Sequence, residues 1–137
     1  MKLISSIFFL FLLTNCSSTK QVSKEITTNS GLRYFVLKQG MDESARKGQE
    51  VAIYESMGLQ SGKQFYSIER PAPPINFTLG KKQVVDGVEE AVTGMKVGEI
   101  RKVIVPPHLS KRQDYPPYLS PDSTLLYKIE LVEIKGH

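Results

Sequence analysis

One cysteine, Cys16, and two histidines, His108 and His137, are all the thiol and imidazole side chains in this sequence. A lone cysteine closes no disulfide within the chain and builds no cysteine-based metal site. Neither histidine has a partner in its neighbourhood that acid–base chemistry would need, so both are expected to face solvent. No stretch reaches the roughly 20 apolar residues that a bilayer-crossing helix requires. Charge of one sign is also scarce, because 18 Lys and Arg against 14 Asp and Glu leave a formal net charge of +4. The pairs Lys81-Lys82 and Lys111-Arg112 are too short and scattered for a nucleic-acid footprint and read as solvated faces. Phosphate-binding glycine loops, spaced His/Asp/Glu ligands and nucleophile elbows are all missing. Neither a metal nor a cofactor is therefore expected.

What is present begins with Met1-Lys2 and the apolar run Leu3 to Leu13, the layout of a secretory signal peptide. Leu13-Thr14-Asn15-Cys16 resembles a bacterial lipobox, whose cysteine becomes the lipidated first residue of the mature protein. Asn15 departs from that pattern, where Gly, Ala or Ser is usual. A plain cleaved signal or an uncleaved anchor are the alternatives. The reading adopted is a signal at residues 1–15, lipidation at Cys16 and a polar, flexible tether over residues 16–31. Such a tether reaches about 20 Å and would hold the domain at residues 32–137 close to a membrane. The implied place is the bacterial cell envelope on the periplasmic side, with the outer membrane favoured.

From residue 32 the pattern is β-rich. Leu32 to Lys38, Glu50 to Met57, Gln64 to Ser67, Ile75 to Leu79 and Glu99 to Val105 read as strands, with Met41 to Gly48 as a loop. Arg70-Pro71-Ala72-Pro73-Pro74 cannot join a central sheet, because proline donates no ladder hydrogen bond. A Pro- and Tyr-rich loop, His108 to Ser123, leads into Thr124 to Leu131, where Leu125, Tyr127, Ile129 and Leu131 alternate with Lys128 and Glu130. Val84, Val88, Ala91, Val92 and Met95 recur at helical spacing, with Asp86, Glu89 and Glu90 opposite and Gly94 at the close. The expected fold class is α+β, one antiparallel sheet half-wrapped around one short helix.

Within this frame stands Leu79-Gly80-x-x-x-Val84-Val85-x-Gly87-x-Glu89-Glu90, followed by Gly94-Met95-x-Val97-Gly98-Glu99. It resembles the FKBP-type peptidyl-prolyl isomerases. Ser30-Gly31-Leu32-Arg33-Tyr34, Lys47-Gly48 with Val51 and Tyr54, and Gly62-Lys63-x-Phe65-x-Ser67 extend the likeness. Val105-Pro106-Pro107 and Pro121-x-Ser123-Thr124-Leu125-Leu126-Tyr127 carry it to nearly the whole mature chain. The resemblance implies a shallow apolar pocket between sheet and helix that takes a proline and catalyses rotation about the preceding peptide bond. By position in the pattern, the substrate-binding residues would be Tyr54, Phe65, Tyr66, Ile75, Val84, Val85, Val88, Leu119 and Tyr127. Val85, through its backbone N–H, and Tyr127 would be the catalytic pair. Partners would be proline-containing polypeptide segments and, through the lipid, a membrane.

Such chemistry suits an apolar site. The barrier of about 18–20 kcal/mol comes from amide resonance, which places charge on O and N of the planar form and less on a twisted one. A dry pocket with a few aimed donors therefore favours the twisted amide. The same residue types also make an ordinary core, so without the resemblance plain packing would be the better reading of Phe65, Val84 and Tyr127.

The chain departs from the family pattern at several points. Tyr66 replaces an Asp, Val88 stands where Trp is common, and Ser110-Lys111-Arg112 stands for Ala-Tyr-Gly, so that Lys111 takes the place of a donor hydroxyl. Tyr54 to Gly62 is one residue longer than usual. Two functions follow: an envelope isomerase that assists protein folding, or a catalytically weak or inactive binding or chaperone module. For the second, Tyr66 to Glu69 is similar to FKBP-like lipoproteins of gliding machinery.

Overall fold

Strand β4 (Glu50–Leu59) is the axis of the molecule, because its ten residues pair along their whole length on one side and are shared between two strands on the other. A computed structural model describes residues 23–136. The expected signal segment, Cys16, most of the tether and His137 lie outside them. On one side β4 pairs with β9 (Leu125–Lys135). On the other, β5 (Gln64–Ile68) takes Glu55 to Gly58 and β6 (Ile75–Thr78) takes Glu50 to Ile53. The chain turns from β5 to β6 through the proline-rich Arg70–Pro74 segment, whose Arg70–Pro71 bond is cis. With β8 (Ile100–Val105), β2 (Arg33–Lys38) and β1 (Ile26–Thr27), these form a seven-stranded antiparallel sheet in the order β1-β2-β8-β9-β4-β5, with β6 beside β4.

Helix α1 (Asp86–Val92) lies against the face of the sheet that carries Val51, Ile53, Met57, Val103, Tyr127, Ile129 and Leu131. It presents Val88, Ala91 and Val92, all buried, while Asp86 is exposed and Glu89 and Glu90 are half-buried. Gly94 ends it at φ +87, a left-handed conformation that costs glycine little. Close approach at the helix start requires Gly87, where a Cβ would stand 2.4 Å from Val105 Cγ1 and 3.1 Å from the Leu109 carbonyl. This is the expected α+β architecture.

Three boundaries differ from the sequence reading. The polar stretch ascribed wholly to a tether already contributes β1, where Ile26 pairs with Tyr34 and Thr27 with Arg33. Ile26 is 40% exposed, so the strand carries no alternation by which to find it. The expected loop at Met41 contains β3 (Met41–Ser44), which pairs with β7 (Lys96–Val97) in a separate two-stranded ribbon. Helix α1 starts at Asp86, so Val84 and Val85 precede it in the chain. Among the described residues no helix is long and apolar enough to cross a membrane.

Candidate functional site

The connection from β6 into α1 brings two valines up beside the core. Val85 is extended, with φ −61 and ψ 148, and caps the helix through its carbonyl, which accepts from Val88 N (3.0 Å) and Glu89 N (3.1 Å). Its own N–H has no backbone acceptor among the described residues. A first-turn donor of this kind is left free by helix geometry. Val84, Val85, Phe65, Tyr66 and Ile75 are half-buried and pack against the core cluster that contains Val88, Leu119 and Tyr127. The Phe65 ring stacks on Tyr118 at 5.0 Å and 39°, with Lys63 Nζ at 5.7 Å from its centroid.

Tyr54 is not among them. It was expected in the pocket wall, but alternation along β4 sends it to the opposite sheet face, where it pairs with Glu130 of β9. There its hydroxyl donates to the Ala72 carbonyl (2.9 Å), Arg70 stacks on its ring at 4.6 Å, and it lines an outer groove of about 250 Å³. The pocket position belongs to Glu55. With Glu55 in that role, the hairpin up to Gly62 is one residue shorter than it is from Tyr54, and the apparent extra residue disappears. A register shift between Met57 and Gly58 is nevertheless present.

Glu55 and Tyr66 form the polar floor. The Tyr66 hydroxyl donates to Glu55 Oε1 in a short hydrogen bond, while Oε2 is buried with no partner. Tyr54 on β4 and Tyr66 on β5, the latter in place of an Asp, were the expected residues here; the structure instead joins Tyr66 of β5 to an acid of β4, Glu55. Burial pushes the Glu55 carboxyl above the usual range, against the opposing pull of the Tyr66 hydrogen bond and the Arg112 charge. The Tyr66 hydroxyl is held far up by burial and by the Glu55 carboxylate. Tyr127 is also raised by burial, with Arg112 opposing.

Arg112, and not Lys111, brings positive charge to this floor. Its Nη2 donates to the Tyr127 hydroxyl at 3.2 Å and lies 3.8 Å from Met57 Sδ, while Nε donates to the Ser110 carbonyl at 3.3 Å. Lys111 is exposed, and Ser110 is buried with its hydroxyl on the Pro107 carbonyl. Tyr115 packs on the core, whereas Tyr118 covers Phe65. His108 is exposed, as expected, and its Nε2 lies 2.7 Å from the Ser30 carbonyl oxygen. Sequence reasoning missed Glu55, Met57 and Arg112. A carboxylate in phase with Val51, Ile53 and Met57 was the signal for the first, but nothing local marked the arginine.

Among the described residues no cluster of His, Cys, Asp or Glu could hold a metal. The arrangement offers apolar walls, a free backbone donor and a polar floor. It fits a class of protein that binds an apolar ring next to an amide. Residues 41–132 match the sequence profile of the FKBP-type peptidyl-prolyl cis-trans isomerases, and the chain belongs to that family. It is 38% identical over 108 residues to FK506-binding protein 1A of Neurospora crassa, covering 77% of this chain and 90% of that one. With peptidyl-prolyl cis-trans isomerase Mip of Coxiella burnetii it shares 34% over 110 residues, 80% of this chain but only 47% of the relative. Its fold superposes on FkpA from Escherichia coli with a TM-score of 0.72 at 28% identity, over 85% of this chain and 53% of that one. AtFKBP13 gives a TM-score of 0.71 at 24% identity, covering 82% and 99%.

Proposed function

We propose that the protein is an active peptidyl-prolyl cis-trans isomerase that acts on proline-containing segments in a bacterial envelope. The observation that carries this reading is the free Val85 N–H beside the apolar group of Phe65, Val84, Val88, Leu119 and Tyr127. A proline ring set among these side chains leaves the preceding carbonyl within reach of that N–H. The walls disfavour the charge-separated planar amide and the donor steadies the twisted one. No covalent step is needed. Family membership supports the reaction class, and the family likeness of Coxiella Mip supports a bacterial setting.

The test follows cis/trans exchange of a short X–Pro peptide by NMR with the full chain in neutral detergent. Uncatalysed exchange takes tens to hundreds of seconds. Acceleration well above that, with peptide-induced shifts at Val84, Val85, Phe65 and Tyr127, is expected. Unchanged exchange with every peptide would overturn catalysis.

The second reading, a binding module without turnover, is favoured by one observation. Arg112 bonds the Tyr127 hydroxyl, so a long, charged side chain stands beside the proposed proline site, while Lys111, which takes the place of the family's donor hydroxyl, is exposed. Bound peptide with spontaneous exchange would establish it. We further propose that Cys16 carries lipid and ties the domain to a membrane.

A further inference from the structure

We propose that Arg112 makes this pocket selective for prolines flanked by an acidic side chain. The inference rests on the proline-pocket reading above and names its substrate class. Arg112 is positioned by a hydroxyl, a thioether and a carbonyl, all uncharged, and takes part in none of the ion pairs among the described residues. Its Nη1 has no hydrogen-bond partner there, so two N–H donors remain for a ligand, together with a charge that acts on Glu55 but closes no salt bridge. The side chain is half-buried, which lessens screening by water and salt.

The neighbouring rim has the same sign. Lys63 lies over the Phe65 ring, and Lys111 is exposed beside Arg112 in the chain. Two acids oppose them. Asp114 is exposed two residues further along, and Glu55 lies beneath with one oxygen bound to Tyr66. Burial shifts Glu55 toward its neutral form, which weakens the repulsion it would exert on an incoming carboxylate. A guanidinium fork suits a carboxylate in geometry as well as charge, through paired N–H···O bonds that an ammonium cannot match. A proline ring against Tyr127 places its flanking residues within reach of a group already bonded to the Tyr127 hydroxyl.

The experiment compares three peptides that carry Glu, Gln or Lys on both sides of one proline. Catalysed exchange, divided by each peptide's spontaneous rate, and binding from shift titration are read on the full chain in neutral detergent. The Glu peptide is expected to exceed the Lys peptide by about tenfold in affinity at low salt, the size of one charge-assisted contact, with the gap narrowing as salt rises. In Arg112→Gln the ratio should fall toward one, and in Arg112→Lys it should be partly restored, with dispersed NMR spectra showing both variants folded. Equal binding of the three peptides, or a preference that survives Arg112→Gln, overturns the proposal. Exchange left unaccelerated with the Glu preference in binding intact would sink the isomerase reading alone and support this one.

Discussion

Glu55 is the residue whose setting departs most from an ordinary core, since one of its oxygens is bonded to Tyr66 and the other is buried without a partner. A folded-state pKa above the unfolded value means that the folded chain holds its proton more tightly. The contribution to stability is therefore full below the unfolded carboxyl pKa of about 4.3 and is lost as pH rises through the raised value. Glu55→Gln keeps an acceptor for the Tyr66 hydroxyl and removes the charge. We expect it to raise the melting temperature at pH 7.5 by an amount corresponding to about 1 kcal/mol, and to gain little at pH 4. Paired thermal melts at the two pH values check this, and an equal shift at both would contradict it. Tyr127 calls for care in design, because it is only 2% exposed. Truncation to Ala would cost about 3–5 kcal/mol as a core cavity, so Tyr127→Phe is the cleaner variant for the pocket. It keeps the ring, takes from Arg112 Nη2 its hydroxyl partner and is expected to alter peptide affinity with little loss of fold, as read by shift titration beside a denaturant curve.

Among the elements, α1 is held at both ends by features with a steric or ionic reason. At its start, Gly87→Ala would drive a Cβ into Val105 and toward the Leu109 carbonyl. Overpacking of that kind costs about 1–3 kcal/mol and would also displace Val85 and Val88, so both stability and exchange catalysis should fall together in urea melts and NMR exchange. At its end, Arg101 donates to the Ala91 carbonyl (3.0 Å) and to Glu99 (2.5 Å), while its guanidinium stacks on Tyr34 at 4.4 Å. Glu99 in turn accepts from Lys96 N at 2.9 Å. Helix, β2, β7 and β8 thus meet at one buried ion pair. Arg101→Met leaves Glu99 uncompensated and is expected to destabilise the fold by about 3–5 kcal/mol, measured by denaturant titration. A change below about 1 kcal/mol would mean that the pair is not a structural tie. Much of this scale was legible: the apolar stripe placed the helix, Gly94 its end, and the prolines between Arg70 and Pro74 the break between β5 and β6. Strands β1 and β3 were not legible. They are short and mostly exposed, with no apolar alternation, so backbone pairing defines them.

For the whole molecule, the sheet curves around the helix because β4 has two partners on one side, β5 and β6, joined by a turn that cannot itself pair. The proposed proline site lies between this curled edge, the start of α1 and the loop that carries Arg112 and Leu119. Strand β1 begins at Ile26, ten residues after Cys16 in the sequence. If Cys16 is lipidated as proposed, Cys16→Ser should move the protein from the membrane to the soluble fraction of a cell lysate. Unchanged membrane association would remove the anchor.

The sequence by itself determined the fold class, most strands, the helix and the family, because alternation, helical spacing and the glycine and proline positions act over a few residues and need no distant partner. It also placed Phe65, Tyr66, Ile75, Val84, Val85, Val88, Leu119 and Tyr127 in one neighbourhood through their likeness to a pattern. Only the tertiary structure decided which member of β4 faces that neighbourhood. Side chains on a strand change face at every step, so a one-residue misplacement puts Tyr54 in the pocket wall and overlooks Glu55, whereas the strand turns Tyr54 outward. It alone brought Arg112 to Tyr127, fifteen residues apart in the chain, since the path of an irregular loop is set by what it packs against.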